Sequence, residues 1–152
     1  MVFNMEDVIS TDNFDKTLSK AKEWCIKNLP KYILDFKKEI DCDIFHYTID
    51  DEMIGSDMRL DNEERGLIRV STRKLKWYFE REEFFGKHGG REPIEIDPES
   101  MFVHEIAEFA ILNKMGLLNQ PGYITNATNA HQIARAMENI NRMERNLKRW
   151  PD

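Results

Sequence analysis

From Met101 to Leu112 the chain reads MFVHEIAEFAIL, an apolar run interrupted only by His104, Glu105 and Glu108. A charged group taken out of water costs several kcal/mol unless something pairs with it. The fold must therefore turn these three groups to solvent or bring them a partner, and a metal ion suits all three. The local signals make this run a helix. Asp97 is a good N-cap, Pro98 is tolerated at the first helical position, and Gly116 is a stop signal, which predicts a helix from 98 to about Lys114.

The remaining segments predict an α+β arrangement around this helix. Phe14, Leu18, Ala21, Trp24, Cys25, Leu29, Ile33 and Phe36 form an apolar stripe over residues 13–40, with a kink expected at Pro30. DCDIFHYTI (41–49) is rich in β-branched and aromatic residues, and LIRVST (67–72) alternates, so both read as strands. Between them, the acidic stretch 50–66 reads as a connection with a turn near Gly55. A short helix over 73–85, a glycine loop over 86–91 and a short strand over 92–96 follow. After a polar loop over 119–129, the last helix runs from Ala130 to about Arg149. Asn129 and Gln132 would form a capping box there and put His131 in its first turn. The expectation is one domain over residues 1–152: a small sheet, a long N-terminal helix, the HEIAE helix and a C-terminal helix.

Composition narrows the function classes. At 152 residues the chain can bury a real core, and a net charge of −6 argues against phosphate-driven nucleic-acid binding. No apolar run is long enough to span a bilayer, and the N-terminus lacks the pattern of a signal peptide. Cys25 and Cys42 have no paired spacing and read as free thiols of a reducing compartment. A cytoplasmic protein with no nucleic-acid or membrane partner is expected.

His104 and Glu108 are four residues apart, so on a helix their Cβ atoms lie about 5–6 Å apart on one face and can converge on one ion. Glu105, rotated by about 100°, can reach a water at that ion without binding the ion itself. His131, on the next helix, is the natural third ligand if the two helices pack antiparallel. His, Glu and His make a catalytic zinc set, with Glu105 as general base. In a first turn, His131 would also feel the positive end of the helix dipole, which favours the neutral ring.

HEIAE resembles the active-site helix of the zincin-like metallopeptidases, whose pattern is H-E-x-x-H with a further ligand downstream. The resemblance implies that His104 is the first zinc ligand and Glu105 the base. Glu108 stands at the second-ligand position and His131 at the downstream one. The His₂Glu set is kept with the positions of one His and the Glu exchanged. A peptide or protein substrate would follow.

Three further residues are candidates near the ligands. Glu138, two turns beyond His131, could accept from a ligand imidazole, serve as an extra ligand, or pair with Arg135 or Arg142. Tyr123 could donate to a developing oxyanion, and His88 could sit on a mobile glycine lid. Two alternatives remain open. One is a magnesium-dependent nucleotide pyrophosphohydrolase using Glu105, Glu108 and Glu138, although its downstream E-x-x-D pattern here reads Glu138-Asn-Ile-Asn141. The other is a binding module without catalysis.

Overall fold

The computed structural model describes residues 4–29, 45–51, 58–61, 66–114 and 123–151, with the backbone alone for 58–61 and 123–128. Helix α1, Met5–Val8, is followed by α2, Thr11–Asn28. Ser10 starts α2 by accepting from the Asn13 N–H at 3.1 Å, as short hydroxyl caps do. Phe14, Leu18, Ala21 and Cys25 of the expected stripe are buried along α2. The helix stops at Asn28, with Leu29 extended at φ −64° and ψ 139°, the conformation favoured before a proline. The expected kink at Pro30, the helix out to residue 40, the strand start at 41–44, Cys42, and the signals at Gly55 and Gly116 lie outside the described residues.

Strands β1 (His46–Ile49), β2 (Met58–Asp61) and β3 (Leu67–Val70) form one sheet in the order β1-β3-β2. β1 runs parallel to β3, with His46 opposite Leu67. β2 runs antiparallel to it, with Met58 opposite Val70. Ile68 and Val70 are buried as the alternation predicts, but Leu67 and Ser71 are buried on the other face as well, so the central strand is more than half-buried. β2 corrects the reading of 50–66 as connection alone. MRLD has no β-branched or aromatic residue, so the ladder with β3 makes it a strand rather than its own propensity.

Helix α3, Thr72–His88, is capped by Ser71, which accepts from Lys74 N at 3.1 Å, and by Asp51, which accepts from Thr72 N at 2.8 Å. It continues through Gly86, Lys87 and His88, so the expected loop over 86–91 is in large part helix. The Gly89 N–H to Phe85 O bond at 3.0 Å carries the ladder past Gly86, where a glycine costs only about 1 kcal/mol. Residues 92–96 are extended without being a strand. Ile94 and Ile96 are buried in alternation, but side chains satisfy the backbone: Ile94 N donates to Glu82 Oε2 at 3.1 Å, and Glu95 O accepts from Arg142 Nη2 at 2.7 Å.

Helix α4, Pro98–Lys114, has thirteen of its seventeen residues buried, as a helix apolar nearly all round must. It packs against α2 on one side and against α5, Tyr123–Glu144, on the other. Phe102 and Phe109 meet Phe14 and Phe45 edge-on at centroid distances of 6.4 and 5.4 Å. Asp97 caps α4 by accepting from Ser100 N at 2.9 Å, and its carboxylate is also held by Arg145. Arg142, fully buried, donates to Ser100 Oγ (3.2 Å), Glu95 O (2.7 Å) and Lys148 O (2.7 Å), tying the start of α4 to the end of α5.

α5 starts at Tyr123 rather than Ala130, so residues 123–129 are helix, not loop, and His131 is in the third turn. The expected capping box at Asn129 and the help of the helix dipole at His131 are therefore both corrected. Ala130, Ala134 and Met137 dock this helix in the core. Once a helix is docked, its extension by a few residues of modest propensity adds one backbone bond per residue fixed. At the other end α5 stops at Glu144, short of residue 149. Asn146 takes φ 61°, with Leu147 N bonded to Arg142 O at 2.8 Å and Asn146 N to Met143 O at 3.1 Å, a Schellman closure with Asn in the left-handed position. The architecture is α+β, and no helix among the described residues is long and apolar enough to cross a membrane.

Candidate functional site

The site lies in the seam between α4 and α5. Ala107, Ala130 and Ala134 are fully buried there, and such small side chains let two helices approach closely. On α4, His104 and Glu108 share one face. On α5, His131, Arg135 and Glu138 follow at intervals of four and three and share another.

His104 is the hub and is only 6% exposed. Its Nδ1 lies 2.9 Å from Glu138 Oε1. Its Nε2 lies 3.0 Å from Glu108 Oε2 and 3.1 Å from His131 Nδ1. The third edge of that triangle, His131 Nδ1 to Glu108 Oε2, is 3.5 Å. Behind the hub, Arg135 Nη1 reaches the same Glu138 oxygen at 3.2 Å.

Proton accounting shows what this arrangement asks for. An ionised Glu138 only accepts, so the Nδ1 of His104 carries a proton. In the neutral ring, Nε2 then presents a lone pair to the Glu108 carboxylate and to His131. Two such groups this close need positive charge on or between them, either a proton or a metal ion. Burial pulls the His104 pKa down, but the hydrogen bonds that Glu108 and Glu138 accept from its ring and the charge of Glu105 outweigh it, holding the pKa up to about 10 from its ordinary 6.5. Burial pushes Glu108 up, yet the hydrogen bond and charge of His104, with the help of His131, hold its carboxyl below the usual range. Positive charge is thus favoured in the seam, and His104, Glu108 and His131 each offer one ligand atom, all within 4.8 Å of one another, so they could hold a metal ion.

A cavity of about 450 Å³ opens beside the triangle. Glu105, half-buried, lines it together with His104, Glu108 and His131. The far wall comes from α3 and the segment after it: Tyr78, Arg81, Glu82 and Arg91. Glu82 is buried and holds Arg91 through two bonds of 2.9 Å; burial pushes its pKa up, but Arg91 and the Ile94 N–H bring it below the usual value. Trp150 forms part of the wall beneath Arg135, whose guanidinium sits 5.6 Å from the ring centroid.

The structure brings together four residues singled out from the sequence, His104, Glu105, Glu108 and His131, and adds Glu138 in two of its three expected roles, as partner of the His104 imidazole and ion-pair partner of Arg135. Glu138 is engaged by both His104 and Arg135. His88 is not at the site. It is exposed at the end of α3, its ring 4.8 Å from that of Phe84. Tyr123 opens α5, and its side chain lies outside the described residues. Arg81, Glu82, Arg91 and Trp150 were not anticipated, since no local spacing connects them to the HEIAE helix. Arg135 had a visible signal, four residues from His131 on one helical face. Comparison with known protein families, curated proteins and solved structures finds no match.

Proposed function

We propose that this chain is a zinc-dependent hydrolase of the zincin-like type, acting on peptide or amide bonds. The observation that supports it most is the donor triangle of 3.0, 3.1 and 3.5 Å formed by His104 Nε2, Glu108 Oε2 and His131 Nδ1. Ligands about 2.0–2.1 Å from a tetrahedral zinc stand about 3.3–3.4 Å apart, so the triangle has the dimensions of one face of such a site. The donor set is also right in kind: two imidazoles and a carboxylate, with a carboxylate behind one imidazole.

Zinc held there supplies Lewis acidity, acidifying water and polarising a carbonyl. The protein's own groups do the rest. Glu138 fixes the tautomer and the orientation of His104 by accepting from Nδ1. Glu105, on the cavity wall one residue from His104, takes the proton of the attacking water and passes it to the leaving nitrogen. The α+β order, in which the sheet precedes the HEIAE helix α4 and α4 precedes α5, suits this reading.

The test is elemental analysis of the tag-free protein, before and after reconstitution, with His104→Ala and His131→Ala in parallel. About one zinc per chain is expected in the wild type, with loss in both variants. Glu105→Gln should keep the metal and lose turnover. No zinc after reconstitution would overturn the proposal and leave a binding module. A magnesium site that forms only with a nucleotide phosphate would instead favour pyrophosphate hydrolysis.

A further inference from the structure

We infer that the cavity takes an amide whose nitrogen bears an α-carboxylate, a short peptide cleaved at its last residue or an N-acyl amino acid, with Arg81 and Arg135 receiving that carboxylate. The inference rests on the metal reading above and adds the substrate class.

Charge is the first argument. Four carboxylates (Glu82, Glu105, Glu108 and Glu138) and three guanidinium groups (Arg81, Arg91 and Arg135) line the cavity, and these seven groups alone sum to one unit negative. A divalent cation makes that sum one unit positive, enough to balance one anionic group rather than the several charges of a polyphosphate. Availability is the second. Arg91 is committed to Glu82 by a two-point clamp. Among the described residues no close ion pair engages Arg81, although its charge is felt by Glu82, and its guanidinium rests against Trp77 and Phe85, 5.4 and 5.6 Å from the ring centroids. Arg135 spends one nitrogen on Glu138, and its side chain is 34% exposed, leaving donors for a ligand. A guanidinium fork is the group best shaped to take a carboxylate at two points.

Distance is the third. Arg135 is one helical turn from His131, so their Cβ atoms are about 5–6 Å apart, and one Glu138 oxygen bridges Arg135 and His104. Successive Cα atoms of a peptide are about 3.8 Å apart, so a carboxylate on Arg135 leaves room for one residue before the scissile bond meets the metal ligands. A cavity of about 450 Å³ matches a small ligand and not a folded segment.

The experiment is calorimetric titration of zinc-reconstituted protein with an N-acetyl amino acid, its C-terminal amide, a dipeptide and inorganic pyrophosphate, with zinc content measured on each sample. Wild type should bind the acid at least about tenfold tighter than the amide, the size of one charge-assisted pair. Arg81→Gln and Arg135→Gln should each reduce that preference while zinc stays at the wild-type level, and Arg81→Lys should restore part of it. Tighter binding of the N-acetyl amino acid than of the dipeptide would assign the acyl amino acid as the ligand, and the reverse order the peptide. A zinc-bound protein with equal affinity for acid and amide overturns this inference and spares the metal centre. So does preference for pyrophosphate over the acid. A protein that binds no zinc overturns the metal centre, and the carboxylate site with it.

Discussion

Glu138→Gln tests the architecture of the seam more sharply than removal of any ligand. Glutamine has the shape of glutamate and keeps an oxygen that can accept from His104 Nδ1, so packing is preserved and the charge alone is removed. In the wild type that oxygen serves two partners, His104 at 2.9 Å and Arg135 at 3.2 Å, and Glu138 is 2% exposed, so solvent screening is slight. A hydrogen bond to a charged group contributes about 1.5–3 kcal/mol and a neutral one about 0.5–1.5, so the change costs His104 about 1 to 1.5 kcal/mol of support. If that support is what makes His104 a good ligand, zinc affinity should fall about tenfold, at the lower end of the 10–100-fold typical of groups behind a metal ligand. The assay is competition for zinc against a chromophoric chelator, with urea unfolding of the metal-free protein alongside. Zinc affinity unchanged within a factor of two, while His104→Ala abolishes binding, would refute the argument that Glu138 orients the ligand.

Other perturbations probe the frame. Asp97→Asn should destabilise the protein by about 1–2 kcal/mol at pH 7, because Asp97 caps α4 and pairs with Arg145. Burial pushes the Asp97 carboxyl up, but Arg145 and Ser100 hold it below its ordinary 3.8, so its contribution is present above about pH 4 and lost as pH falls through the lower folded value. The wild-type and Asp97→Asn unfolding free energies should therefore converge on acidification; a constant gap would contradict this. Arg142→Met removes the donors to Glu95 O and Lys148 O and should cost about 3 kcal/mol, lowering Tm by roughly 6–12 °C in calorimetry; a shift under about 2 °C would show those carbonyls satisfied otherwise. Ala134→Leu overpacks the seam and should cost about 1–3 kcal/mol while weakening zinc binding, since the helices must separate; intact zinc affinity would mean that the α4–α5 spacing does not set the triangle.

Much of this was legible from local chemistry. Asp97-Pro98 and the apolar run gave α4 with the correct start, because its cap and its burial are written within about twenty residues. The pairing of His104 with Glu108 needed only the helical period. His131 was legible as a candidate, being the sole histidine downstream of His104, but its place in α5 was not. ITNATN has modest helix propensity and becomes helical only as the leading end of a segment docked by Ala130 and Ala134. β2 was illegible for a related reason, since MRLD is a strand through pairing with β3. Residues 92–96 misled because Ile94 and Ile96 alternate as a strand does, while the partners of their backbone, Glu82 and Arg142, come from two distant helices. The cavity wall of Arg81, Glu82 and Arg91 depends on how α3 lies against α4, which no spacing encodes.

The two polar clusters along the α4–α5 seam differ in a way that separates frame from site. The cluster at the start of α4 answers to the backbone: Asp97 accepts from the Ser100 N–H, and Arg142 donates to the carbonyls of Glu95 and Lys148. Buried groups used in this way stabilise, because the backbone atoms they meet would otherwise be desolvated and unpaired. The His104 cluster does none of this. The bonds joining His104, Glu108, His131, Glu138 and Arg135 run only from side chain to side chain. As a stabilising device such a cluster is poor, since apolar residues of similar volume commonly do as well or better than buried ion pairs. Its parts become economical when a cation is added: Glu108 and the two imidazoles gain a shared partner, and Glu138 holds one ligand in place. On the proposed reading, the physical cost of burying His104 and its carboxylates in this seam is offset by the cation the seam would bind rather than by what the cluster holds together.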